Sequence, residues 1–141
     1  MRDFLRESCS GTPRDFALGY ASHVIQDIYN NMTLWTPLRH RAEAECRPEL
    51  LERYRMESIA VDRALHCRGD EILSRLSRAR AMGIPGRVEA EDVERLRQSL
   101  LADPHAGQPM PDLSAHQCLT EATVESFLRD AADFTLEQLR L

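Results

Sequence analysis

Lysine is absent from this sequence, and each of its 18 basic residues is an arginine. That absence excludes Schiff-base chemistry, a lysine general base and the lysine of a phosphate-binding loop. Cysteine is sparse: four residues, at 9, 46, 67 and 118, with no Cys-x-x-Cys pair. The opening MRDFLRES is charged and does not read as a secretory leader, so reduced thiols and a cytoplasmic location are the expectation. A long uncharged run is also missing. The least charged stretch, Phe16 to Leu38, holds Gln26, Asp27, Asn30 and Asn31 in its middle and is interrupted by Pro37, which argues for a buried helix rather than a transmembrane one. No basic stripe exists either: the formal net charge is −5, and arginines alternate with acids at helical spacing, as in ERYRMESIAVDRALHCRGDE. Recognition of nucleic acid by charge is therefore not expected.

What remains is helical pattern almost throughout. The chain of 141 residues has the length of one domain. Residues 1–12 form a weak first segment, closed by Gly11-Thr12-Pro13. Thr12 caps a helix from Pro13 to about Asn31, with Asp15 as the capping-box acid. Thr36-Pro37 repeats the cap-then-proline signal and starts a short helix through about Glu45, ended by Arg47-Pro48. A long amphipathic helix runs from Glu49 to about Arg68, Gly69 breaks it, and Asp70 to about Met82 continues the apolar stripe. Gly83, Pro85 and Gly86 make a turn before a helix to Leu101, with Glu89 at its cap and Val88 and Val93 spaced as a hydrophobic staple. Residues 103–118 form a proline-rich surface loop, and Leu119-Thr120 opens the last helix, with Leu119 stapled to Val124. No convincing strand alternation and no internal repeat is present. The expectation is one all-α domain over 1–141, a helical bundle of about five to six helices.

The Phe16 to Leu38 stretch carries the chemistry. Val24, Ala17, Ile28, Ala21, Ile25 and Leu18 cover an apolar arc of its helix, and His23 and Asp27 lie beside that arc, one turn apart. Gly19, inside the helix, costs about 1 kcal/mol relative to alanine, which suggests that something needs the space. Asp27 is the only formal charge between Phe16 and Leu38. An unpaired carboxylate in such a setting costs several kcal/mol unless a cation or strong donors meet it. A histidine and an aspartate at i, i+4 present nitrogen and oxygen to one point, the geometry that chelates zinc, or else they form a hydrogen-bonded pair. On this reading the two side chains converge and face a concavity beside Gly19.

The run Gly-Tyr-Ala-Ser-His-Val-Ile-Gln-Asp, Gly19 to Asp27, resembles the central helix of the zinc-dependent phospholipase C family, where Leu-Gly-Tyr-x-x-His-x-x-x-Asp supplies metal ligands from an all-helical bundle. NNMTLWTPLR is similar to the continuation in a bacterial branch of that family, and GRVEAEDVERLRQSL and ESFLRDAADFTLEQL look like its C-terminal helices. The resemblance implies metal-assisted hydrolysis of phosphoric esters, with a phosphoester or phospholipid as substrate and zinc-bound hydroxide as nucleophile. It makes His23 a zinc ligand and Asp27 a ligand able to bridge two ions, with His40 a third and Glu43 behind it. Trp35 would wall the pocket, and Arg39 would meet a phosphate bidentately; otherwise Trp35 is a core anchor and Arg39 an ion-pair partner. The sequence departs from the family pattern in two places. No histidine precedes His23, and Thr33 and Ala44 stand where the family places ligands. Two readings follow: a shortened or partial phosphoesterase whose site is completed by a second copy, a partner chain or an upstream segment, or a non-catalytic binding or assembly module in which His23 and Asp27 form a buried pair.

Other histidines and cysteines carry less. Asp62, His66 and Asp70 repeat the i, i+4 spacing amid dense charge and read as a solvated face, with Cys67 beside them inert. His105, His116 and Cys118 lack a second pair to complete a zinc knuckle and read as loop residues.

Overall fold

The computed structural model describes residues 13–66, 70–102 and 109–139, and the fold there is all-α. In chain order come α1 (Arg14–Asn30), a π-helical turn (Asn31–Trp35), α2 (Thr36–Ala44), α3 (Glu49–His66), α4 (Asp70–Arg78), α5 (Ala90–Leu101) and α6 (Glu121–Leu139). The weak segment 1–12 with its Thr12 cap, the Gly69 break, Cys67 and residues 103–108 with His105 lie outside the described residues, as do the side chains of His66 and Asp70. No described helix is long and apolar enough to cross a membrane.

Proline opens α1 because its fixed φ suits a first turn and its missing N–H is not needed there. The Pro13 carbonyl accepts the Ala17 N–H at 3.0 Å. Along the predicted arc, Ala17, Ala21 and Ile25 are buried, Leu18 and Val24 are half-buried, and Ile28 at its edge is exposed.

The expected break between Asn31 and Thr36 does not occur. Trp35 (φ −68°, ψ −51°) and Thr36 (φ −65°, ψ −46°) both keep right-handed helical backbone, and no side chain caps α2. In a regular α-helix the Pro37 ring would press on the carbonyl four residues back. The chain instead widens into a π-turn, in which the Thr36 N–H reaches the Asn31 carbonyl five residues back. Thr36 is thus not a cap; its hydroxyl lies 3.4 Å from Asn31 Oδ1. The true end is at α2: Cys46 takes a left-handed conformation (φ 54°), and the Arg47 N–H closes on the Ala42 carbonyl at 2.8 Å.

By contact the chain groups into two compact units, residues 1–21 with 65–109 and residues 22–64 with 110–141, the division falling inside α1 between Ala21 and Ser22. In the first, Ala17 and Ile84 are buried together, with Phe16 and Tyr20 packed against them. Ile84 is held by a turn: its N–H bonds the Val88 carbonyl at 2.8 Å and its carbonyl accepts from Arg87 and Val88. Gly86 supplies the left-handed residue this turn needs (φ +69°). Helix α4 stops at Arg78, short of the expected Met82. Its end is closed by the Ala79 N–H on the Leu76 carbonyl at 3.1 Å and by the Arg97 guanidinium from α5, which reaches the Leu76 and Ser77 carbonyls. Arg97 is itself held by Glu94, and its hydrogen bond, followed by that of Gln98, takes the Glu94 carboxyl down to about 2.

In the second unit Ile25, Ala42, Leu50, Ala64, Leu119 and Ala131 are buried. Tyr29 packs between Phe127 and Phe134 of α6, with ring centroids 5.8 and 5.1 Å away, and Trp35 leans on Tyr54 of α3 at 5.7 Å. Helix α6 is capped as the sequence suggests: Thr120 Oγ1 accepts the Thr123 N–H at 3.2 Å.

Candidate functional site

His23 and Asp27 converge, with Nε2 and Oδ2 3.4 Å apart, but their side chains are 70% and 66% exposed. The expected burial is corrected. Asp27 faces water, so no desolvation cost calls for a cation, and neither residue lines either of the two cavities beside the π-turn. Gly19 gives no close approach: a Cβ built there meets nothing within 4 Å. We therefore expect Gly19→Ala to raise the unfolding free energy by about 0.5–1 kcal/mol in chemical denaturation, through helix propensity alone. A loss of stability would mean that the position is crowded.

The other sequence candidates are dispersed. His40 is exposed on α2, Arg39 meets Glu43 at 3.9 Å, and Trp35 packs on Tyr54. Among the described residues no group of three or more His, Cys, Asp or Glu could hold a metal ion. His116 lies in the loop before α6, as the sequence suggests, with Nδ1 3.0 Å from the Leu119 carbonyl.

Among the described residues, two cavities of the second unit lie along the π-turn. A cavity of about 450 Å³ is lined by Tyr29, Thr33, Leu34, Phe127, Ser126 and Asp130, among others. A second, of about 230 Å³, is lined by Thr33, Leu34, Leu38, Arg41, Tyr54 and Cys118, together with Pro37 and Gln117. Both share Thr33 and Leu34, so the π-turn forms the wall common to the two. The Thr33 hydroxyl donates to the Tyr29 carbonyl at 2.8 Å, and Ser126 donates to Asp130 at 3.1 Å. Burial raises the Tyr54 phenol and keeps it neutral, with its O–H 3.2 Å from Asn30 Oδ1.

One buried carboxylate positions the rim. Glu57 of α3, 8% exposed, accepts three consecutive backbone N–H groups, from Gln117 (3.0 Å), Cys118 (2.8 Å) and Leu119 (2.8 Å). Burial alone would push this carboxyl up; the three donors and nearby His116 outweigh it and hold Glu57 below the ordinary glutamate range. Arg53 adds a hydrogen bond to Gln117 Oε1. Burial, then the Glu57 charge, pushes the Cys118 thiol up against the pull of Arg41, Arg53 and Arg47, so the thiol stays protonated at neutral pH and is a poor nucleophile.

Glu57 is obscured in the sequence by a segment dense with charge. A signal was present: Leu50, Tyr54, Glu57, Val61 and Ala64 follow one helical stripe, which puts an acid at a core register position of α3. No protein-family model matches the chain, and no curated protein or solved structure is significantly similar to it.

Proposed function

We propose that the chain is a helical binding module whose ligand seats in the groove along the π-turn. The observation that carries this reading is the pair of adjoining cavities sharing Thr33 and Leu34. The larger has the volume of a small-molecule pocket, both mix aromatic and aliphatic walls with a few polar groups, and π-turns inside α-helices are frequent at functional sites. A thermal-shift screen of small molecules tests it. A compound at a hundred times its dissociation constant should stabilise the wild type by about 2.7 kcal/mol and leave Leu34→Trp, in which the groove is filled, unshifted. Hits that stabilise both proteins equally would contradict the reading.

A second reading, the zinc-dependent phosphoesterase, is favoured by one observation, the 3.4 Å approach of His23 Nε2 and Asp27 Oδ2. These two atoms fit one zinc ion, but they are half of a four-coordinate site, and the described residues add no third ligand. The ion would supply a bound hydroxide if a second copy, a partner chain or another segment completed the site. On this reading purified protein takes up at most about one zinc per chain, and both His23→Ala and Asp27→Ala abolish that uptake in elemental analysis; uptake unchanged by either substitution would contradict it.

A further inference from the structure

We propose that the larger cavity takes a small organic cation, its ammonium head at Asp130 and its apolar body against Tyr29, Leu34 and Phe127. This rests on the binding-module reading and names the ligand class for one cavity of that groove.

Among the described residues that line this cavity, Asp130 is the one that carries a charge, and no arginine lines it. The partner of Asp130 is the Ser126 hydroxyl, which donates to it at 3.1 Å, and no described guanidinium pairs with it. The walls on both sides lack positive charge. No arginine occurs between Arg14 and Arg39, a stretch that includes the wall of Tyr29, Thr33 and Leu34, and the chain has no lysine. On the other side α6 carries Glu121, Glu125, Asp130, Asp133 and Glu137 against Arg129 alone, and Arg129 does not line the cavity. A cleft lined by one sign of charge concentrates the opposite ion.

Hydrogen-bond polarity points the same way independently of charge. The Ser126 proton is committed to Asp130 and the Thr33 proton to the Tyr29 carbonyl at 2.8 Å, so both oxygens are left as acceptors. In the first turn of α6, which also lines the cavity, the Thr123 N–H is taken by Thr120 Oγ1 at 3.2 Å. An ammonium group brings N–H donors and no acceptor, the complement of a carboxylate beside two hydroxyl oxygens. Tyr29 and Phe127, with ring centroids 5.8 Å apart, line the same cavity, and aromatic rings attract a cation placed over a face. At about 450 Å³ the space exceeds what a bare ion fills, and a metal cation would find one carboxylate where it needs several ligands.

Calorimetric titration with 4-phenylbutylamine, 4-phenylbutan-1-ol and 4-phenylbutyrate, which share one apolar body, isolates the head group. The amine should bind saturably and about tenfold or more tighter than the alcohol, with the acid weakest. Asp130→Asn keeps the side chain's shape and removes its charge; it should bring the amine to within about twofold of the alcohol and leave the alcohol unchanged. Asp133→Asn, the same change at an exposed position of α6 outside the cavity lining, should weaken the amine by less than about twofold. Ala122→Trp, or Leu34→Trp should the first fail to fold, fills the cavity and should abolish binding of both amine and alcohol. Equal binding of amine and alcohol, both lost on filling, would overturn the cation preference and leave the groove reading standing. Equal weakening by Asp130→Asn and Asp133→Asn would show a diffuse field in place of a site and overturn the proposal. Amine binding that survives filling, tightest binding by the acid, or no binding by any of the three would overturn it as well; in the last case the groove reading is decided separately, by the screen against Leu34→Trp.

Discussion

Glu57→Ala is expected to lower the unfolding free energy by about 3 kcal/mol, the cost of leaving one buried and two partly buried N–H donors without their charged acceptor, less what water recovers. The N–H of Leu119 is the buried one, and those of Gln117 and Cys118 are partly buried. Glu57→Gln should fall between the two, because its single carbonyl oxygen serves part of the set and its NH₂ faces donors. The pH dependence has a definite sign. The folded-state pKa of Glu57 is lowered, so its contribution is complete above the ordinary glutamate pKa and is lost as pH falls below that value towards the lower folded one. The gap between wild type and Glu57→Gln, measured by denaturant titration, should be constant near neutrality and shrink only in acid. A gap that grows on acidification would contradict this assignment. Because Gln117 and Cys118 line the smaller cavity, the same substitution should weaken any ligand of the groove.

Gly83→Ala is the second large effect, expected at about 2–3 kcal/mol of destabilisation. Its methyl would stand 2.6 Å from the Val88 carbonyl oxygen and 3.0 Å from the Ala90 nitrogen, both backbone atoms that cannot rotate away. Relieving the clash means opening the Ile84–Val88 bridge, and that bridge holds Ile84, the largest fully buried side chain among the described residues, against Ala17, Phe16 and Tyr20. Chemical denaturation compares three of the six glycines directly. Gly83→Ala should be the most harmful, Gly86→Ala should cost about 1 kcal/mol for its left-handed backbone, and Gly19→Ala should stabilise. A neutral Gly83→Ala would show that the turn does not bear on the Ile84 core.

These residues also mark how far the sequence could be read. Local chemistry reached the helices: Pro13 before α1, Pro48 after α2 and Thr120 before α6 all act within a turn of their own position, Glu89 stands at the N-cap of α5 without a side-chain cap bond, and Ala17, Ala21 and Ile25 show their face through a single period. The π-turn was not legible, because Thr36-Pro37 is the same dipeptide signal whether the chain starts a helix or widens one already running. Trp35 and Thr36 keep helical backbone, and Trp35 leans on Tyr54 of α3, a contact that the dipeptide does not announce. The early end of α4 depends on Arg97 of α5 reaching its last carbonyls, and Glu57 depends on backbone about sixty positions away. The His23–Asp27 spacing predicted their approach on the helix but not their exposure, since a helical stripe says which residues share a face and not what covers it.

The proposal that a ligand seats in the groove along the π-turn is tested most directly by amide chemical-shift mapping of ¹⁵N-labelled protein titrated with a compound selected in the thermal-shift screen. Saturable shifts centred on Thr33, Leu34, Tyr54, Gln117 and Cys118 are expected, with the amides of His23 and Asp27 unmoved. Shifts centred on His23 and Asp27, or spread over the surface without saturation, would contradict it.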